Sequence, residues 1–180
     1  DALPIYPFLD GNGRLGRLLI TLMLINDGVL HSCLFYPSFQ FKKNRSEYYR
    51  QLTSVRERGT YEEWIEFFCN SLLESAKDSV GSLKNLVDLH NRSTATITEN
   101  LGRTAANGQR LLGILEEHPI VDTAFIAAQL DIGRSTASSL VKSFEELGIL
   151  RPLDESRQRY RQYGYEEYLS ILREDAEPIR

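Results

Sequence analysis

The sequence predicts a mainly α-helical protein in two parts: a helical first part, and a second part of three helices closing on a β-hairpin. Three observations carry this reading. Apolar residues recur at helical spacing through most of the 180 positions. Gly28, Pro119 and Gly148 interrupt that spacing where helices should stop. Only beyond Gly148 does the pattern turn strand-like, over residues 149–153 and 159–163 around the charged turn 154–158.

In chain order, residues 14–27 (RLGRLLITLMLIND) are apolar on nearly every side, so this helix is expected to be buried all round at the centre of its domain. Gly28 is its C-terminal cap. Residues 34–41, with Pro37, read as an irregular aromatic stretch. Residues 44–56 read as a helix with Tyr48, Tyr49, Leu52 and Val55 on roughly one face. Thr60-Tyr61-Glu62-Glu63 matches a capping box, and Trp64, Ile65, Phe68, Leu72 and Leu73 continue at helical spacing to about Leu89. The polar residues 91–109 suit either a continuation of that helix or a linker. Helices are then expected over 110–117, 123–130 and 135–147, the last two joined by Asp131-Ile132-Gly133-Arg134. Three helices followed by a hairpin make a winged helix-turn-helix over residues 110–172. Residues 1–90 form the first domain and 173–180 a tail.

Bulk composition narrows the function classes. The net charge of −4 argues against a chain that coats nucleic acid or anionic membrane without selectivity. Cys33 and Cys69 make neither a disulfide framework nor a metal-ligand spacing, and read as core thiols of a cytosolic protein. No stretch approaches the ~18 apolar residues of a membrane span. The expectation is a cytoplasmic protein with no membrane partner; a homodimer stays open.

The chemistry concentrates in residues 6–17, YPFLDGNGRLGR. Asp10 is a hard carboxylate suited to Mg²⁺. Gly11-Asn12-Gly13 lets the backbone turn and aim N–H groups at one point, and leads into a helix start, where the macrodipole favours phosphate. Arg14 and Arg17, three apart, project from one face of the first turn. Carboxylate, amide nest, helix start and paired arginines together suit a metal-bound polyphosphate. His31, His90 and His118 lie far from this motif and read as surface or packing residues.

This segment resembles the signature of the Fic (Fido-domain) family, H-x-F-x-[DE]-G-N-G-R-x-x-R, at every fixed position but the first. Phe8, Asp10, Gly11, Asn12, Gly13, Arg14 and Arg17 all match. NRSEYYRQL and GTYEEWIEFF also resemble the helices that follow the motif in bacterial members, where a C-terminal winged helix is a familiar appendage. The resemblance implies a helical Fic core, truncated at its N-terminus, and transfer of AMP from Mg·ATP to a Ser, Thr or Tyr hydroxyl of a target protein. Asp10 would hold the Mg²⁺, Gly11 to Gly13 would cradle the phosphates, and Arg14 and Arg17 would neutralise the departing pyrophosphate. Tyr48, Tyr49 and Leu52 would flank the adenine or serve as core aromatics and packing.

The departure falls at Tyr6, where the family has its catalytic His. A phenol of pKa near 10 is only about one part in a thousand ionised at neutral pH, so Tyr6 is no general base. Residues 1–5 are encodable by the end of a common sequencing adapter, and Tyr and His codons differ only in their first base. The expectation is therefore that residues 1–5 are not native and that Tyr6 replaces a His. The competing expectation is a degenerate, nucleotide-sensing regulator that binds DNA. For that role the second part offers Arg134, Ser135, Thr136, Ser138, Ser139 and Lys142 on the recognition helix, and Arg157, Arg159 and Arg161 on the wing. Glu145, Glu146, Asp154 and Glu155 offset that charge, so dimerisation or protein docking is the alternative use.

Overall fold

The computed structural model describes residues 8–30, 37–154 and 161–174. Among them are eight α-helices and three short strands, so the chain is mainly helical. It divides into two compact units, the first reaching Gly81 and the second spanning Ser82–Glu174.

In the first unit α1 (Asn12–Asn26) ends as expected. Gly28, at φ 72°, donates to Ile25 O and Val29 N donates to Leu24 O, the Schellman arrangement that satisfies the last carbonyls. The burial expected of α1 is not found. Thr21 is its only buried residue, while Leu15, Leu18, Leu19, Leu22 and Met23 are about half exposed. The all-round apolar sequence does not meet matching surfaces among the described residues. α2 (Ser38–Lys43) is a helical turn-and-a-half where an irregular stretch was expected, with Pro37 at its N-cap. α3 (Arg45–Arg58) and α4 (Tyr61–Asn100) follow, separated by Gly59. Phe41, Tyr48, Trp64, Phe67 and Phe68 make one aromatic cluster, with centroids 5.3–6.4 Å apart. Polar residues fill in around it. Gln40 Nε2 donates to Asp78 at 2.5 Å, and the Ser54 and Thr60 hydroxyls meet at 2.6 Å. Cys69 is exposed rather than a core thiol, because it lies on α4's outward side. Cys33 lies outside the described residues.

Residues 91–109 resolve as helix rather than linker. α4 runs to Asn100, a 3₁₀ turn covers Gly102–Thr104, and α5 (Ala105–Glu117) starts five residues before the expected 110. The second unit continues with β1 (Ile120–Asp122), α6 (Thr123–Leu130), α7 (Arg134–Glu146), β2 (Arg151–Pro152), β3 (Gln162–Gly164) and α8 (Glu166–Glu174). Asp122 caps α6 by accepting from Phe125 N at 2.8 Å. Asp131, at φ 55°, ends α6, and Gly148, at φ 74°, ends α7. The expected strand 149–153 shrinks to β2; of the expected 159–163, residues 159 and 160 lie outside the described residues, and β3 runs from Gln162 one residue past the expected end. β1 and α8 were not anticipated: β1 is three residues long, and α8 overlaps the end of the expected domain and the start of the tail. β3 lies between β1 and β2 and pairs antiparallel with each, Val121 opposite Tyr163 and Arg151 opposite Gly164.

This unit has a continuous core of Leu89, Ile97, Leu111, Leu112, Leu115, Val121, Ile126, Leu130, Leu140, Phe144, Leu150 and Tyr165, among others. α5 comes close to α4 at Gly108, where an added Cβ would stand 2.7 Å from Ile97 Cγ2 and 2.8 Å from Leu101 Cδ1. Gly108→Val should therefore cost about 1–3 kcal/mol by overpacking; chemical denaturation of the variant measures it. Ser93 Oγ and Tyr165 Oη share a 2.7 Å hydrogen bond in the core. Burial pushes the Tyr165 phenol up to about 12. Its folded pKa thus lies above the unfolded value near 10, so its stabilisation is whole below pH ~10 and is lost as pH rises through about 12. Tyr165→Phe should flatten the fall in stability across that window, seen as a smaller change in Tm with pH.

Candidate functional site

The site is built at the start of α1. Gly11, at φ 83° and ψ −1°, occupies the N-cap in the left-handed region, where glycine carries no Cβ penalty. Its N–H donates to Asp10 Oδ1 at 2.6 Å. Asn12 opens the helix and reaches back over four residues. Its Nδ2 donates to the Phe8 carbonyl at 2.5 Å, and its Oδ1 accepts from Phe8 N–H at 3.0 Å. One amide side chain thereby satisfies both backbone groups of Phe8 and holds the loop against the helix. This lock was missed in the sequence, where Asn12 counted for its backbone, as part of the turn and amide nest, and not for its side chain; the signal was an Asn at the first helical position.

Leu15 N–H is the first to find a helical acceptor, the Gly11 carbonyl at 3.0 Å. The N–H groups of Asn12, Gly13 and Arg14 have no acceptor among the described residues. They are the free donors that every helix start presents, with the positive end of the dipole behind them. Both arginines curl back toward this end, the direction in which helical side chains lean. A Cβ on Gly11 would stand 3.7 Å from Arg14 Nη2, and one on Gly13 would stand 3.3 Å from Arg17 Nη1. The two guanidiniums thus lie over the two glycines, and the glycines leave room for them. Arg14 Nη2 is 3.5 Å from Asp10 Oδ2, an exposed pair that solvent screens.

Asp10 is 95% exposed, so its carboxylate is open to a ligand. Among the described residues no three metal-ligating side chains come together. Mg²⁺ commonly takes one carboxylate and draws its other oxygens from phosphates and water, and Asp10 fits that mode.

Tyr6 lies outside the described residues. Tyr48 stands half-buried in the aromatic cluster, 5.4 Å from the Tyr49 ring, whose face also receives Arg45 at 5.7 Å. Tyr49 and Leu52 are exposed. No described hydrogen bond, ion pair or ring contact joins these three residues to residues 8–17. On α7, Arg134, Ser135, Thr136, Ser138, Ser139 and Lys142 are exposed, while Ala137, Leu140, Val141 and Phe144 face the core. Lys142 pairs with Glu146 at 3.7 Å. Arg157 and Arg159 lie outside the described residues; Arg161 is exposed only in part and already has a partner.

No family model matches the chain.

The two glycines should respond differently to a methyl group. At Gly13, inside the helix, alanine favours folding by about 0.5–1 kcal/mol yet displaces Arg17. At Gly11 it meets the left-handed penalty of about 1–2 kcal/mol. Gly13→Ala is thus expected to raise Tm while weakening pyrophosphate binding several-fold, whereas Gly11→Ala should lower Tm. Thermal unfolding and calorimetric titration separate the two effects.

Proposed function

We propose that this chain carries the phosphate-binding half of a Fic-type active site, whose reaction is transfer of AMP from Mg·ATP to a hydroxyl of a target protein. The observation that carries the reading is the pair of guanidiniums over Gly11 and Gly13, beside three free amides at the start of α1. Three amides and two guanidiniums at one end of a helix suit a multiply charged phosphate chain far better than a single carboxylate ligand. The matching signature residues narrow that chain to a nucleoside triphosphate.

In this reading the target hydroxyl oxygen attacks the α-phosphorus, the bond from that phosphorus to the β-bridging oxygen breaks, and pyrophosphate leaves. Arg14, Arg17 and the amides of Asn12 to Arg14 hold the pyrophosphate and take up its charge as it forms. When bound, Mg²⁺ neutralises phosphate charge, with Asp10 its protein carboxylate. The hydroxyl proton must go to a base at position 6. Tyr6 does not accept it at neutral pH, so the chain as written binds nucleotide and does not transfer AMP.

Arg14→Ala and Arg17→Ala should each weaken Mg·ATP binding about tenfold or more, read by competition with a fluorescent ATP analogue. With ATP labelled at the α-phosphate, Tyr6→His is expected to label protein and the unaltered chain is not. Label carried over from the γ-phosphate instead would replace AMP transfer with phosphoryl transfer; unchanged affinity in both arginine variants would discard the site.

A second reading concerns residues 105–164. Three helices and a three-stranded antiparallel sheet in the order α-β-α-α-β-β suit a winged helix, with α7 as its recognition helix. The exposed Arg134, Ser135, Thr136, Ser139 and Lys142 suit contacts to a DNA backbone. Lys142→Ala should reduce the salt slope of DNA binding by about one. Binding that ignores salt would leave protein docking as the use of this face.

A further inference from the structure

Helix α4 carries two apolar faces. One packs inward through Trp64, Phe67, Phe68, Ser71 and Ser75. The other points outward. At 100° per residue, Ile65, Cys69, Leu73, Ala76 and Val80 fall within an arc of about 80°. All five are exposed, with Ile65 56%, Leu73 52% and Val80 50% accessible. In sequence the same spacing continues as Leu83 and Val87. Surface helices ordinarily place charge on this side, so an unbroken apolar stripe over four turns marks a surface that another element covers.

Charge on the border of the stripe says which element. Glu66 stands near its N-terminal end and Lys77 near its C-terminal end on the same flank, while Glu62 lies in line with the stripe just before it begins. Glu62 and Glu66 have no partner among the described residues, and Lys77 meets only Glu74, one turn before it, at 2.8 Å. In an antiparallel helix pair each flank faces itself, end reversed. The acidic end of one copy then meets the basic end of the other, twice, by symmetry. A parallel pair sets this flank against Leu72 and Ser79 and gains no charge pairing.

We infer that the outward face of α4 is a self-association surface, on which α4 of a second copy of this chain lies antiparallel. Residues 65–80 overlap themselves, crossing near Leu73, and Glu66 of each copy comes within a turn of Lys77 of the other. The stripe is about 23 Å long, so the interface belongs to the small, concentration-dependent class. The two Cys69 residues stand seven positions apart along the pair, about 10 Å, beyond disulfide reach of ~7 Å.

Sedimentation of the full chain from about 10 μM to about 1 mM should show a reversible monomer–dimer equilibrium. Leu73→Glu is expected to weaken it about tenfold or more without loss of helicity by circular dichroism, because Leu73 touches solvent in the monomer. Leu19→Glu on α1 should leave it within twofold. Glu66→Lys and Lys77→Glu should each weaken the dimer several-fold, and the double variant should regain most of what Lys77→Glu loses. Glu74 beside residue 77 is common to both members of that comparison. A chain that stays monomeric, a dimer indifferent to Leu73→Glu or broken by Leu19→Glu, or a failure of the charge swap would each overturn the inference. Ready oxidation to a Cys69–Cys69 disulfide would also overturn it, since only a parallel pair brings those thiols together.

Discussion

Every helix leaves four N–H groups and four carbonyls without an internal partner, and the way the chain meets that constraint shapes both units. Where it must turn and pack, the ends are closed. Gly148 and Asp131 take left-handed conformations that return N–H groups to the last carbonyls, and each sends the chain back across the core. Asp122 closes the start of α6 with its carboxylate. At α1, as at α2, α3, α5 and α7, no side chain caps the start. Gly11 uses the same left-handed conformation to begin a helix, and no side chain takes up the amides behind it. Asp10 accepts only from the Gly11 N–H, and Asn12 turns its amide to the backbone of Phe8. What sets this end apart is the pair of guanidiniums, Arg14 and Arg17, lying over Gly11 and Gly13.

Much of this was legible in the sequence, and the exceptions have physical reasons. Gly28 and Gly148 marked helix ends, and α6 was bounded residue for residue, because glycine and N-cap chemistry act locally. α1 starts at Asn12, two residues before the expected 14, because only Gly11 takes the left-handed turn and Asn12 and Gly13 already belong to the helix. α4 beyond Leu89 was ambiguous because its inward stripe there is sparse. Leu89, Ser93 and Ile97 are buried among polar neighbours, and Ser93 earns its burial only through Tyr165, 72 residues away. β1 was invisible because three residues carry no periodicity; Val121 becomes a strand residue by lying opposite Tyr163.

The burial of α1 failed for a different reason. Hydrophobicity states what a residue would gain by leaving water, not whether a surface is present to receive it. Leu18 and Leu19 are as apolar as Leu111 and Leu112, yet the first pair is 54% exposed and the second is sealed between α5 and its neighbours. The same distinction applies to Cys69. A cysteine in a helix with two apolar faces reads as core from either side, and only the packing tells which face is inward.

The Ser93–Tyr165 hydrogen bond also sets an order of assembly. The α5, α6 and α7 contacts join segments close in sequence, whereas Tyr165 must return across 72 residues and β3 across about 42 to reach their partners. Long closures cost more chain entropy and form after the local ones. During synthesis, therefore, the three helices can collapse while β3 and α8 are still to come. Until Tyr165 arrives, the hydroxyl of Ser93 and the apolar residues around it face water, and that interval is when the second unit is most exposed to proteolysis and misassociation.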